Sequence, residues 1–130
     1  MTEYRIGAIM RRDAPTLTPD TPIRRAVAVL VDAQAAAATV LDDDGQLAGL
    51  LTQKDCFRPA LHASYHREWA GRVSDHMSRE VVTVDIEDEV IRVAEMFIAL
   101  PHRIFPVLDG SAPAGLVHRS DVLTLLVKAG

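Results

Sequence analysis

A disulfide needs two cysteines, and this chain of 130 residues contains only Cys56. An internal disulfide framework is therefore excluded, and the composition suits a reducing compartment, for which we predict the cytoplasm. The chain also lacks an excess of positive charge, since 14 basic residues face 18 acidic ones and the net charge is -4. Non-specific binding to nucleic acid requires a basic face, so we expect no nucleic-acid partner.

Long apolar runs are missing too. No stretch approaches the roughly 18 apolar residues of a membrane span, so we expect no membrane insertion. The N-terminal MTEYRIGAIMRRDAP carries charges on both sides of a very short apolar patch, unlike a signal peptide. Neither a P-loop nor a Rossmann glycine fingerprint is present. Yet 48% of the residues are apolar, which is enough for the core of one compact domain or of two very small halves.

What the chain does contain is an internal repeat. Shifted by 67 residues, the sequence matches itself at Met10 and Met77 and at Thr16 and Thr83, and Val-Leu-Asp occurs at 40–42 and 107–109. After a one-residue deletion, GLLTQKD at 49–55 matches GLVHRSD at 115–121. Identities that keep their order along half a chain indicate a duplicated unit. We predict repeat 1 at residues 1–60, a connector helix or linker at 61–71 and repeat 2 at 72–130.

Each repeat shows signals for the element order β-α-β-β-α. A short extended piece at 15–17 or 81–84 precedes a segment with helical apolar spacing, for which we expect Thr21 and Asp88 as caps. Two strands joined by a turn follow, and then a second helix. A unit of about 60 residues buries too little surface alone. This predicts an α+β fold, in which the two repeats pack with pseudo-two-fold symmetry and leave a cleft between them.

In this organisation the chain resembles a tandem pair of CBS (cystathionine-β-synthase) domains, also called a Bateman module. The resemblance covers residues from about 6 to 126. It is carried by IGAIM and VSDHM, by PTLTPDTPIRRAV and VTVDIEDEVIRVA, by FPVLD, and by the two phrases that begin with Gly-Leu. It implies a regulatory ligand-binding module rather than an enzyme. No cofactor is required, and the effector is an adenosyl ligand: AMP, ADP or ATP, and sometimes S-adenosylmethionine or a dinucleotide such as NAD.

The resemblance also bears on partners. It implies two sites in the cleft and a homodimer formed through the helices. Since no effector domain is visible in the sequence, we expect the module to signal to a separate protein or to act as a free-standing buffer or sensor. The alternative is a dimerisation or adaptor module whose ligand sites are vestigial.

The repeated phrase has two interpretations. Thr52 and Asp55 match a capping box, with the threonine as N-cap. The same turn offers free backbone N–H groups and a carboxylate able to accept hydrogen bonds from both ribose hydroxyls. We therefore predict that Asp55 and Asp121 bind ribose and that Thr52 contacts a phosphate or ribose oxygen. Lys54 and Ser120 are secondary candidates for phosphate.

The resemblance implies that each aspartate shares its site with strands of the other repeat. Asp55 is then expected beside Thr83, Arg103 and Ile104, with Ile104 against the adenine and Arg103 near the phosphates. For Arg103 the alternative is an ordinary surface arginine at a strand start. On these expectations the Asp55 site is the better equipped one.

The Asp121 site is expected to include Thr16, Ala37 and Ala38, a wall without a cation. Arg119 or His118 would then have to supply the positive charge. His118 stands where repeat 1 has a threonine. It either fills part of the cleft or donates to a phosphate, and in the second case affinity falls as the pH rises past about 6.5.

Other chemistry is weakly supported. His62 and His66 have metal-ligand spacing on a helix but lack a third ligand, so we predict no metal site. DDDG at 42–45 is a hairpin turn rather than a calcium loop. A nucleophile made of Cys56 and a histidine is the remaining catalytic alternative. We predict no catalytic residues.

Overall fold

The computed structural model describes residues 4–129 and divides the chain into two compact units. The first-repeat unit comprises Ala14–Val81. The second-repeat unit comprises Val82–Gly130 together with Met1–Asp13, as far as these are described. Each unit thus contains most of one sequence repeat and the segment that precedes the first strand of the other. No helix within the described residues combines the length and apolar character that crossing a bilayer requires.

The first-repeat unit has the predicted order β-α-β-β-α. Its elements are β1 (Thr16–Leu17), α1 (Ile23–Asp32), β2 (Ala37–Leu41), β3 (Leu47–Thr52), α2 (Gln53–His66) and the short α3 (Val73–His76). The sheet order is β1-β2-β3, with β1 parallel to β2 and β2 antiparallel to β3. Because α2 runs to His66, the start of the segment predicted as a connector is helical.

The second-repeat unit has the same architecture. After a 3-10 helix (Ile6–Ala8) its elements are β4 (Val84–Asp85), α4 (Val90–Ala99), β5 (Ile104–Asp109), β6 (Ala112–His118) and α5 (Arg119–Ala129). The sheet order is β4-β5-β6, again with one parallel and one antiparallel pairing. The antiparallel register shifts after Val40 in one sheet and after Val107 in the other, 67 residues apart. The duplication seen in the sequence therefore extends to the irregularities of the sheets.

Each unit has its own apolar core. Both cores combine the inner face of the sheet, the helices and one residue or more from the segment that begins the other repeat. In the first-repeat unit these include Ala38, Val40 and Leu51 with Val73 from α3. In the second-repeat unit they include Val107, Val117, Ile6 and Phe105, whose ring stacks on that of Phe97 at 4.4 Å.

The two predicted helix caps are wrong. The hydroxyl of Thr21 accepts from the backbone N–H of Thr18 at 3.3 Å, and the proline after it is the N-cap of α1. Asp88 accepts from the backbone N–H of Asp85 at 2.9 Å, and the glutamate after it is the N-cap of α4. In both places a short polar side chain closes a local turn just before the helix, which competes with capping.

Gly49 allows a second segment to lie directly on β3. Leu50 and Ser78 exchange two backbone hydrogen bonds, at 3.0 and 2.9 Å. A Cβ at position 49 would lie 2.6 Å from the Ser78 carbonyl oxygen and 2.9 Å from the sulfur of Met77. Only glycine leaves room for this backbone approach.

Gly115 does the same in the second-repeat unit. Arg11 and Leu116 exchange backbone hydrogen bonds at 2.7 and 3.0 Å. A Cβ at position 115 would overlap the carbonyl oxygen of Arg11. The glycine of each repeated phrase therefore lets a second segment hydrogen-bond to its strand: residues 77–78 at Gly49 and residues 10–11 at Gly115.

We expect Gly49→Ala to destabilise the fold by about 1–3 kcal/mol, because backbone must move to admit the new methyl group. Urea denaturation measures the change in the free energy of unfolding. Gly7→Ala is the matched control, since a Cβ there meets its neighbours only at 3.4 Å or more. Equal stability of the two variants would contradict the packing argument.

Candidate functional site

The Asp55 turn lies where β3 passes directly into α2. The predicted capping box is confirmed: the Thr52 hydroxyl accepts from the Asp55 N–H at 3.4 Å, and Asp55 Oδ2 accepts from the Thr52 N–H at 2.9 Å. The Thr52 hydroxyl also donates to the same oxygen at 3.0 Å. Both of the bonds that the Asp55 carboxylate accepts use Oδ2. Within residues 4–129, Asp55 Oδ1 has no hydrogen-bond partner, so capping leaves half of the carboxylate free for a ligand.

The Asp121 turn lies where β6 passes into α5, and its carboxylate is fully engaged. The His118 N–H donates to Oδ2 at 2.9 Å, as the Thr52 N–H does in the first-repeat unit. Arg11 adds a second set of bonds: its Nε lies 3.2 Å from both oxygens and its Nη2 lies 3.0 Å from Oδ1. The two turns share a backbone geometry but differ in what the carboxylate contacts.

Arg11 is the residue that the sequence analysis missed. It lies 110 residues from Asp121 along the chain, outside the phrase in which we looked for a cation. The repeat did contain a signal, because Arg11 follows Met10 as Ser78 follows Met77. A cation in one copy and a hydroxyl in the other marks a difference between the two turns.

The surroundings of His118 lower the pKa of its imidazole. Burial is the largest cause, and the Arg11 guanidinium adds to it, while the Asp121 carboxylate acts in the opposite direction. The imidazole is therefore neutral at pH 7. The charged phosphate donor considered from the sequence therefore requires a lower pH than an ordinary histidine does.

The first-repeat unit brings together residues predicted for two different sites. Ala37 pairs with Thr52 across β2 and β3, and Thr16 pairs with Thr39 on the neighbouring strand pair. Thr16 and Lys54 are exposed, whereas Ala37 is buried. This unit thus holds the Asp55 turn together with the sheet edge that the resemblance assigns to Asp121.

The second-repeat unit mirrors this arrangement. Ile104 pairs with His118 across β5 and β6, and the Arg119 N–H donates to the Arg103 carbonyl oxygen at 2.9 Å. The side chains of Arg103 and Arg119 are exposed, as is Ser120, and Thr83 precedes β4. The assignment of Asp55 to the strands of repeat 2, and of Asp121 to those of repeat 1, stays a prediction.

The other reactive side chains are locally accounted for. The buried Cys56 thiol donates to the Thr52 carbonyl oxygen at 3.4 Å. Burial raises the pKa of this thiol and the Asp55 carboxylate raises it further, which disfavours the nucleophilic thiolate. His62 and His66 stack with ring centroids 4.4 Å apart. Residues 4–129 contain no group of three side chains able to hold a metal ion.

The lowered pKa of His118 predicts a pH dependence of stability. Below about pH 6.5 the unfolded chain binds a proton at His118 more readily than the folded chain does. Protonation therefore lowers the free energy of unfolding as the pH falls. His118→Thr gives repeat 2 the residue that repeat 1 has at Thr52, and it removes this pH-dependent loss of stability. Between about pH 7.5 and about pH 5.5 the variant should lose less stability than the parent chain in urea denaturation. A variant that loses as much or more would contradict the assignment.

Three known proteins show what this chain is similar to. It is 24% identical over 121 residues to the uncharacterized protein MJ1225 of Methanocaldococcus jannaschii, covering 93% of this chain but only 42% of that protein. It matches the crystal structure of CBSX2, a protein of Arabidopsis thaliana, in complex with AMP, with a TM-score of 0.82, 21% identity and coverage of 97% and 98%.

The third is the CBS domain pair of protein MJ0100 in complex with 5′-methylthioadenosine and S-adenosyl-L-methionine. Here the TM-score is 0.80 with 20% identity, and coverage is 97% of this chain and 98% of that one. At these identities the structures show the fold alone. The CBS domain family model matches residues 6–61 and again 73–128, the two repeats of the sequence. The chain therefore belongs to the CBS domain family, of which it contains a tandem pair.

Proposed function

We propose that this chain is a ligand-sensing regulatory module that binds an adenosyl ligand through the Asp55 turn. The observation that carries the proposal is the free Oδ1 of Asp55, on a carboxylate whose other oxygen is fixed by the capping box. A carboxylate held rigidly in this way is prepared to accept a hydrogen bond from a ribose hydroxyl without losing its place in the fold.

The neighbouring groups suit the rest of such a ligand. Thr52 and Asp55 lie at the start of a helix of 14 residues, whose dipole favours an anion. In its first turn the Gln53 N–H donates to the Ala36 carbonyl oxygen and the Asp55 N–H donates to the Thr52 hydroxyl. Lys54 is exposed in the first turn and is available to a phosphate. Charge-assisted hydrogen bonds of this kind contribute about 1.5–3 kcal/mol each.

The similar structures support adenosine as the recognised group. AMP, bound by CBSX2, and S-adenosylmethionine and 5′-methylthioadenosine, bound by MJ0100, share only the adenosine moiety. Ribose and adenine contacts therefore matter more than phosphate contacts in this proposal. AMP, ADP, ATP and S-adenosylmethionine are its candidate effectors. To regulate a partner protein, the ligand must favour one conformation of the module over another.

A second candidate function is association through the helices, with or without a ligand. Phe57 on α2 is 67% exposed and Ile98 on α4 is 86% exposed, and Val31 and Tyr65 are exposed as well. Beside Phe57, α1 and α2 enclose an apolar groove of about 190 Å³. Exposed apolar side chains of this size favour a protein interface, and we propose a homodimer formed through these helices.

We expect AMP, ATP or S-adenosylmethionine to raise the melting temperature of the chain. A ligand at a hundredfold excess over its Kd stabilises the native state by about 2.7 kcal/mol. Asp55→Asn retains an acceptor for the Thr52 N–H but loses the carboxylate, and should remove most of the shift. Asp43→Asn, in the exposed β2–β3 turn, is the matched control and should keep it. If none of the three ligands raises the melting temperature of the parent chain, the ligand-binding proposal fails and association through the helices is the remaining function.

We expect Phe57→Glu to shift the chain from dimer to monomer, because a buried carboxylate at an apolar interface is costly. Light scattering after size-exclusion chromatography measures the mass. His62→Glu, also exposed on α2 but about 140° away from Phe57 around the helix, is the control that adds an acidic group away from this face. A dimer unaffected by Phe57→Glu would place the interface elsewhere.

A further inference from the structure

We propose that Arg11 makes the two ligand sites unequal by occupying the Asp121 carboxylate, so that ribose binds at Asp55 and is held off at Asp121. This inference rests on the proposed function and identifies the residue that restricts it to one turn.

The hydrogen bonds of Asp121 carry the argument. A carboxylate offers about four acceptor positions on its two oxygens. Oδ1 accepts from Arg11 Nη2 and Nε, while Oδ2 accepts from Nε and from the His118 N–H. A ribose hydroxyl therefore finds both oxygens in use and must displace the guanidinium to bind.

The position of Arg11 is fixed by the backbone as well as by its charge. Its N–H and carbonyl are hydrogen-bonded to Leu116, on the strand that leads into the Asp121 turn. The Asp121 side chain is only 17% exposed, although Arg11 is 46% exposed. The ion pair is thus anchored at one end and shielded at the other, which makes it stronger than an ordinary surface pair.

The first-repeat unit provides an internal comparison. Ser78 makes the same backbone bridge to Leu50 that Arg11 makes to Leu116. Within the described residues its hydroxyl makes no hydrogen bond with Asp55, whose Oδ1 is left without a partner. Of two equivalent carboxylates, the one beside a serine therefore keeps an oxygen without a partner, and the one beside an arginine has both oxygens hydrogen-bonded.

Exchange of these two residues tests the proposal. Isothermal titration with AMP, ATP and S-adenosylmethionine in turn should give a single ligand per chain in the parent and a second one in Arg11→Ser. Ser78→Arg should weaken binding at Asp55 by at least about tenfold, since the ligand must then compete with a charge-assisted pair. Arg12→Ser is the matched control, because Arg12 donates to the Gly7 carbonyl instead and its loss should leave the stoichiometry unchanged.

Several outcomes would overturn the inference. Two equal sites in the parent chain would show that Arg11 does not restrict Asp121. Weaker binding in Arg11→Ser, with its fold intact by circular dichroism, would make Arg11 a ligand contact, and an unchanged stoichiometry would make it neutral. Binding by Arg11→Ser alone would support the role of Arg11 but refute ligand binding at Asp55. Failure of both chains to bind any of the three ligands would refute both proposals.

Discussion

The close backbone approach at Gly49 and Gly115 is the constraint on which both units depend. Because these residues lack a Cβ, residues 77–78 and 10–11 lie directly on the adjoining strands and exchange two hydrogen bonds with them. Each sheet thereby gains a segment that precedes the first strand of the other repeat, and apolar residues of these segments complete the cores. The approach also decides which side chain stands beside each aspartate turn.

At the Asp55 turn, capping and the proposed ligand binding use different oxygens of the same carboxylate. At Asp55 the capping box needs only Oδ2, which fixes the side chain and leaves Oδ1 available. A site built this way is preorganised, because its functional group is already held by the fold before a ligand arrives. At Asp121 the His118 N–H retains the bond to Oδ2, but the capping hydroxyl is absent and a guanidinium covers the remaining positions. Duplication has kept the scaffold, while the differences between Thr52 and His118 and between Ser78 and Arg11 change the chemistry of the two turns.

Much of the fold could be predicted from the sequence. The β-α-β-β-α order of each repeat followed from periodicity and turn residues, and the capping box at Thr52 from its spacing to Asp55. Helix starts were less accessible, because Thr21 and Asp88 bond to nearby backbone or side chains before the helix begins. The reason for the repeated glycine was also hidden, since it depends on a contact with residues far away in the chain.

The sequence by itself determined that the chain is a duplicated unit, and that each copy carries Gly-Leu in a strand and an aspartate in the first turn of the helix that follows. These are local patterns, and their spacing contains the geometry. Only the tertiary structure decided that the two carboxylates differ. The ion pair joins residues 110 positions apart. No local pattern records such a contact, because it exists only once the backbone bridge at Gly115 has brought Arg11 to the turn.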